Sequence, residues 1–505
     1  MTWIVPHESV MLNKILFSLG LVVILVMTAP GKSTAVAPPS LAWSPAKQIP
    51  GYPSYTEPPY LVADRNRTVH ALHVQPVNDQ PAIVYSTWTM ALGWTMPVDV
   101  LLAPHSALVI NLRGLFLDAK GTLHAIFVAG DDTFGGDVYY SRAAVANAEH
   151  PAGWSAPKRI GEKARMGGTF ATALAADDRG DLYVVYSGTK EGNGLYEIRS
   201  QDGGDTWSDP AAIFLTGDSG IYPGTLALQL ETGNLHIAWS DWRPPYGGYE
   251  LYYARLDTER NTLSSPVLMS RPVTGNFTLP DTPSMILHYN TLFLVYSEYT
   301  DLAGGSMAKL MRQSTDHGKT WTKPVLAFPP LIGGNGIASL LVDSDNELHA
   351  VLSNRTGDCC HGMWYSFWEG NRWSESQAII SPGPKTRMFD PQIPNAVMSQ
   401  GNVILATWIN EERLNGVWYS YARLDAPELP IVPLPTPIPS PDPTSTPNAT
   451  TAIATPTSAT TRLPATEISA EVPQAEESTP GFSILIGTVP VIALIALIGL
   501  WRARR

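Results

Sequence analysis

The chain has 505 residues, a formal charge of −12 and only 15% charged residues, alongside 41 Gly, 44 Pro, 15 Trp and 20 Tyr. That composition suits many short strands joined by tight turns, not helices. The acidic balance argues against a nucleic-acid partner, since nothing would neutralise phosphates, and no cofactor is expected.

Lys14 precedes the apolar run "ILFSLGLVVILVM", and small residues follow at Ser33–Ala35. This is the layout of a secretory signal peptide over residues 1–37, with Met11 as a start of more usual length; an uncleaved anchor is the alternative. Residues 38–425 then repeat. Each copy has an apolar strand after a short turn: "RTVHALHV", "GTLHAIFV", "GDLYVVYS", "GNLHIAWS", "NTLFLVYS", "NELHAVLS" and "GNVILATW". An aromatic strand follows, such as "DVYYSRA" or "LYYARL", and then a segment such as "GWSAPKRI" (from Gly153). Seven copies recur at roughly 45 to 54 residues. The seventh lacks its last strand, and "AWSPAKQIP" (Ala42–Pro50) supplies one at the other end. The prediction is an all-β fold: a β-propeller of four-stranded blades, seven in number with six or eight as alternatives, closed by the N-terminal strand.

Residues 426–480 are rich in Pro, Thr and Ser and read as an extended stalk. Residues 481–501 include "FSILIGTVPVIALIALIGLW", long enough to cross a bilayer once as a transmembrane helix. Arg502, Arg504 and Arg505 follow, so residues 502–505 form a cytoplasmic tail and the rest is extracytoplasmic. The protein is expected at the cell surface, held by one C-terminal membrane helix.

Two copies carry a fuller signature, "SQDGGDTW" and "STDHGKTW", with Asp202 and Asp316 114 residues apart. Asp202 and Asp316 suit acceptance of hydrogen bonds from turn amides, Gly204 and Gly318 suit positive φ, and Trp207 and Trp321 suit burial. These segments, with Ser200, Thr206, Ser314 and Thr320, resemble the Asp box of the bacterial-neuraminidase-repeat propellers, the superfamily that includes sialidases. The resemblance implies a hairpin between the third and fourth strands of a blade, with a structural role. It leaves the loops between second and third strands, and the lead-ins to first strands, on the opposite face as the place for function.

Sialidases hydrolyse terminal sialic acid with three arginines on the carboxylate, a Tyr–Glu nucleophile and an Asp acid/base. The resemblance predicts an Arg-Ile-Pro motif early in the fold. Here "YTEPPYLVA" (from Tyr55) has no arginine, and within residues 38–425 the Ile-Pro pairs are preceded by Gln48 and Gln392. The expected function is therefore recognition of an extracellular carbohydrate or glycoprotein without conventional sialidase activity. A sialidase-like glycoside hydrolase with a rebuilt site is the alternative, and a protein-binding propeller the second alternative.

Arg113, Arg165, Arg243 and Arg387 fall in lead-ins or upper loops, with Asp131, Asp132, Asp241, Glu298, Asp390, Glu411 and Glu412 of opposite sign. For a hydrolase the candidates are Arg165, Arg243, Arg387, Tyr222, Glu298 and Asp241. For ligand binding they are Asp241, Trp242, Arg243, Tyr246, Tyr299, Arg355 and Glu411, because aromatic faces, arginine forks and acids make a glycan platform. His70, His124, His236 and His349 recur on separate blades and are read as structural, with no metal. Cys359 and Cys360 are adjacent; a vicinal disulfide shaping a site wall and two free thiols are both open.

Overall fold

The computed structural model describes residues 41–52, 57–104, 107–131, 135–165, 171–177, 179–218, 220–243, 248–271, 281–333, 337–354, 361–380, 383, 391–410 and 416–433. The signal segment, most of the stalk, the apolar run Phe482–Trp501 and the tail lie outside the described residues. So do Asp132, Tyr246, Arg355, Cys359, Cys360, Arg387, Asp390, Glu411 and Glu412. Described helices are three-residue 3-10 turns, and none is long and apolar enough to cross a membrane.

The described strands form seven antiparallel meanders. The first runs Tyr60–Ala63, Val69–Val77, Gln80–Thr89 and Val98–Leu102; the second Val109–Leu117, Thr122–Gly130, Gly136–Ala144 and Lys158–Ala164. The third runs Thr172–Ala176, Leu182–Gly188, Gly194–Ser200 and Ala211–Leu215; the fourth Tyr222–Glu231, Asn234–Trp242, Gly248–Asp257 and Val267–Ser270. The fifth runs Asp281–His288, Thr291–Thr300, Ser306–Ser314 and Val325–Leu326; the sixth Ala338–Val342, Leu348–Asn354, Gly362–Phe367 and Gln377–Ala378. The seventh has Pro391–Ser399, Val403–Asn410 and Val417–Arg423, and Lys47–Gln48 pairs with the last of these, Lys47 opposite Tyr419. A single bridge, Ala164 with Gly188, joins the second meander to the third.

First strands of successive meanders pack side by side, and the seventh's lies beside the first's, so the innermost strands ring a common axis. Between neighbouring meanders the side chains form dry seams. Trp88, Trp239 and Trp408 are buried in three of them. Burial of each such aromatic is worth about 3 kcal/mol, so the seams hold the ring together without helices.

The two Ser-x-Asp-x-Gly-x-Thr-Trp turns fasten one meander to the one before it. Ser200 Oγ donates to Asp202 Oδ1 (2.8 Å), Thr206 N–H donates to the same oxygen (2.9 Å), and Gly204 N–H donates to Ser200 Oγ (2.9 Å). These bonds hold the Asp202 carboxyl down at about 2, with the Thr206 hydroxyl the largest cause. The turn sits on Tyr140 of the second meander, whose hydroxyl donates to Gly203 O (3.2 Å) and whose ring meets Trp207 at 4.9 Å. Tyr140 is itself tied to His124 Nδ1 (2.8 Å), and His124 Nε2 to Asp118 (3.3 Å). The turn at Ser314–Trp321 repeats this on Tyr253 and His236. His70–Tyr85 and His349–Tyr365 are the same pair elsewhere.

Turns of this kind share one face with the first-to-second strand turns; Gly203 N–H donates to Gly180 O there. This is the lower face. The chain after Asp425 stays on it: Leu429 N–H donates to Gln400 O (2.8 Å) and Val432 N–H to Arg65 O (3.1 Å), while Glu428 pairs with Arg67. Residues 426–432, placed in the stalk by composition, thus strap the seventh meander to the first beside the seam that Lys47–Gln48 closes.

Candidate functional site

The axis holds a cavity of about 330 Å³ lined by residues from the first strand or lead-in of every meander. Its wall is mainly aliphatic, including Leu174, Leu226, Leu228, Met285 and Leu340, as a half-buried strand face dictates. Irregular pairing marks four of these strands near their upper ends: Leu112/Gly114, Pro223/Leu226, Asp281/Ser284 and Gln392/Asn395. Thr282 (φ +51°) and Ile393 (φ +49°) sit in two of the bulges, a costly backbone for β-branched residues. Thr172 Oγ1 and Ser284 Oγ are buried in the wall without partners.

One polar cluster interrupts the wall. Arg113, extruded at the Leu112/Gly114 bulge and only 5% exposed, donates from Nη1 to Glu57 Oε2 (3.2 Å) and to Leu112 O (2.9 Å). Tyr60 lies beside both; burial pushes its hydroxyl up to about 12, against the opposing pull of Arg113. Glu57 and Tyr60 are not among the residues that the sequence singles out. A Glu and a Tyr directly flanking the Pro58-Pro59 pair were the available signal.

A second cluster stands on the upper rim. Tyr222 begins the fourth meander four residues above Leu226, about 13 Å along the strand. The Arg165 guanidinium lies over its ring, Cζ 4.2 Å from the centroid. Arg165 Nη2 donates to Asn193 Oδ1 (2.6 Å), and its backbone N–H donates to Ser187 O (2.9 Å). Its Nε is buried with no partner, Nη1 makes no hydrogen bond, and no carboxylate pairs with it among the described residues. Burial pulls its pKa down, and the Tyr222 ring only partly offsets this. Trp242, opposite Tyr222, lies flat over Gly224, where a Cβ would overlap the indole. Trp242 Nε1 donates to Ser240 Oγ (3.2 Å), which in turn donates to the half-buried Asp281 (2.9 Å).

Of the residues singled out from sequence, the fold joins Arg165 to Tyr222 and sets Trp242 across from Tyr222. Asp241 is buried on Trp239 Nε1 (3.1 Å), and burial pushes its carboxyl up to about 6. Arg243 is exposed near it. Glu298 bonds Ser270 at the outer edge of the fourth meander, away from the axis, and Tyr299 is half-buried opposite Met307. Asn193, Gly224 and Asp281 were not singled out.

Asp343, Glu347 and His349 are the described group whose potential metal-ligand atoms come within 4.8 Å of one another. Asp343 and His349 repeat the acid–His pairing of Asp118 with His124 and of Asp64 with His70, so packing accounts for them.

No protein-family model matches the chain. A 107-residue stretch is 32% identical to xyloglucanase Xgh74A of Acetivibrio thermocellus, covering 20% of this chain; the chain spans 12% of the length of that curated relative. Solved structures similar to the chain include a polysaccharide lyase of family PL25, an ulvan lyase bound to -[GlcA(1-4)Rha3S]- (12% identity, 74% of this chain, 95% of that one, TM-score 0.48). The leech intramolecular trans-sialidase (12%, 74% and 69%, TM-score 0.40) and that of Ruminococcus gnavus (13%, 76% and 97%, TM-score 0.40) are others. These neighbours are carbohydrate-active enzymes, and the described residues of this chain are almost entirely strands and turns.

Proposed function

We propose that the chain is a seven-bladed, sialidase-like β-propeller that binds acidic glycans at its upper rim without cleaving them. Seven meanders around one axis, closed by Lys47–Gln48, support the blade count. Placement outside the cell on a C-terminal membrane helix is carried by the apolar runs at the two ends of the sequence.

The observation that carries the binding reading is Arg165. A half-buried guanidinium without an acid beside it has given up water for little in return. A sugar carboxylate on Nη1 would restore that loss, and the rings of Tyr222 and Trp242 offer apolar faces for the sugar. A charge-assisted bond of this kind is worth about 1.5–3 kcal/mol. On an array of acidic and neutral glycans, the purified full chain is expected to bind acidic ones. Arg165→Met should weaken that binding about 10- to 100-fold, and Arg165→Lys should restore part of it. Preference for neutral glycans, or indifference to Arg165→Met, would sink the reading.

Hydrolysis is the second reading, favoured by the Glu57–Arg113–Tyr60 cluster on the axial cavity. It ranks lower because a tyrosine at about 12 is costly to ionise: about 7 kcal/mol at pH 7. Arg113 is also committed to Glu57.

A further inference from the structure

We infer that a cavity on the lower face is a second binding site, for a polar ligand carrying a sulfate or phosphate group. It measures about 830 Å³ and is lined by turns of the third, fourth and fifth meanders. Its origin lies in the repeat. The third and fifth meanders end in glycine–tryptophan turns that cover the tyrosine of the meander before. The fourth has instead the short turn Asp257–Asn261, with no tryptophan, and the third has Glu197 where that tyrosine would stand. Less side chain fills this stretch of the lower face, and the space is open to solvent.

The charges in it are unequal. Asp177 accepts from the N–H groups of Arg179 (3.0 Å) and Asp181 (3.1 Å) and from Arg179 Nε (2.8 Å). Glu231 is shared between His236 (3.0 Å) and His317 (2.6 Å). Both acids are therefore satisfied. The Arg255 side chain donates to His317 O (3.3 Å), which draws it toward the 317–319 turn; among the described residues neither Arg255 nor Lys319 Nζ pairs with an acid. Two cations without an acid partner among the described residues thus share a cavity in a chain of net charge −12. An oxyanion matches them, and the volume leaves room for the sugar-sized body that carries it.

Calorimetric titration of the full chain with a heparin disaccharide, glucose 6-phosphate and inorganic sulfate tests this. One of the two sugar probes should bind more tightly than inorganic sulfate, and which one identifies the source of the oxyanion. Lys319→Gln, at an exposed side chain, should weaken that binding about tenfold, as should Arg255→Gln. Arg165→Met should leave it unchanged, which separates this site from the rim. Three silent probes, affinity untouched by both lower-face variants, or loss with Arg165→Met would overturn the inference.

Discussion

Gly204→Ala should destabilise the ring by about 3 kcal/mol, whereas its neighbour Gly203→Ala should cost about 1 kcal/mol. Both glycines have positive φ, 90° and 70°, so both substitutions carry backbone strain of about 1–2 kcal/mol. Only at Gly204 would the new Cβ also run into the Tyr140 hydroxyl; nothing lies within 4 Å of one at Gly203. Moving Tyr140 loosens its bonds to Gly203 O and His124, adding an overpacking cost of about 1–3 kcal/mol. Urea unfolding of the two variants measures the gap. Equal losses would mean that the turn does not bear on the preceding meander.

The second large effect is a loss of stability with rising pH, centred on Glu197. Its side chain is buried between the third and fourth meanders, Oε1 has no partner, and burial pushes the carboxyl up from 4.5 to about 7. The folded chain keeps this proton up to about pH 7, while the unfolded chain releases it near 4.5. The folded state thus binds more protons in between, and stability falls as pH rises through that window. Over roughly 2.5 pH units the loss comes to about 3 kcal/mol. Glu197→Gln keeps the shape and removes the charge, so it should match the parent at pH 4.5 and exceed it by about 3 kcal/mol at pH 8. Parallel urea-unfolding profiles for parent and variant at the two pH values would contradict this.

Glu197 also shows where the sequence could have been read further. Aligning "DVYYSRA" with "LYEIRS" on Arg142 and Arg199, whose N–H groups both donate to a serine just before the following strand, puts Glu197 in the column of Tyr140 and Tyr253. The break in the repeat was visible one residue at a time. Strand order and closure were legible because period-two alternation and the displaced "AWSPAKQIP" strand are local properties. The rim was only half legible. Arg165 and Tyr222 lie 57 residues apart and meet because the second meander's outer strand ends above the fourth meander's first. No local pattern encodes that crossing. Nor does one reveal that Arg113 is spent on Glu57 whereas Arg165 has no acid beside it among the described residues: both are lone arginines in the sequence, and only burial and partners separate them.

The most direct measurement is a crystal structure of the chain soaked with the tightest acidic glycan from the array. The rim reading predicts an intact sugar with a carboxylate oxygen about 3 Å from Arg165 Nη1 and its ring against Tyr222 or Trp242. A cleaved sugar, or one bound elsewhere with Arg165 untouched, would contradict it.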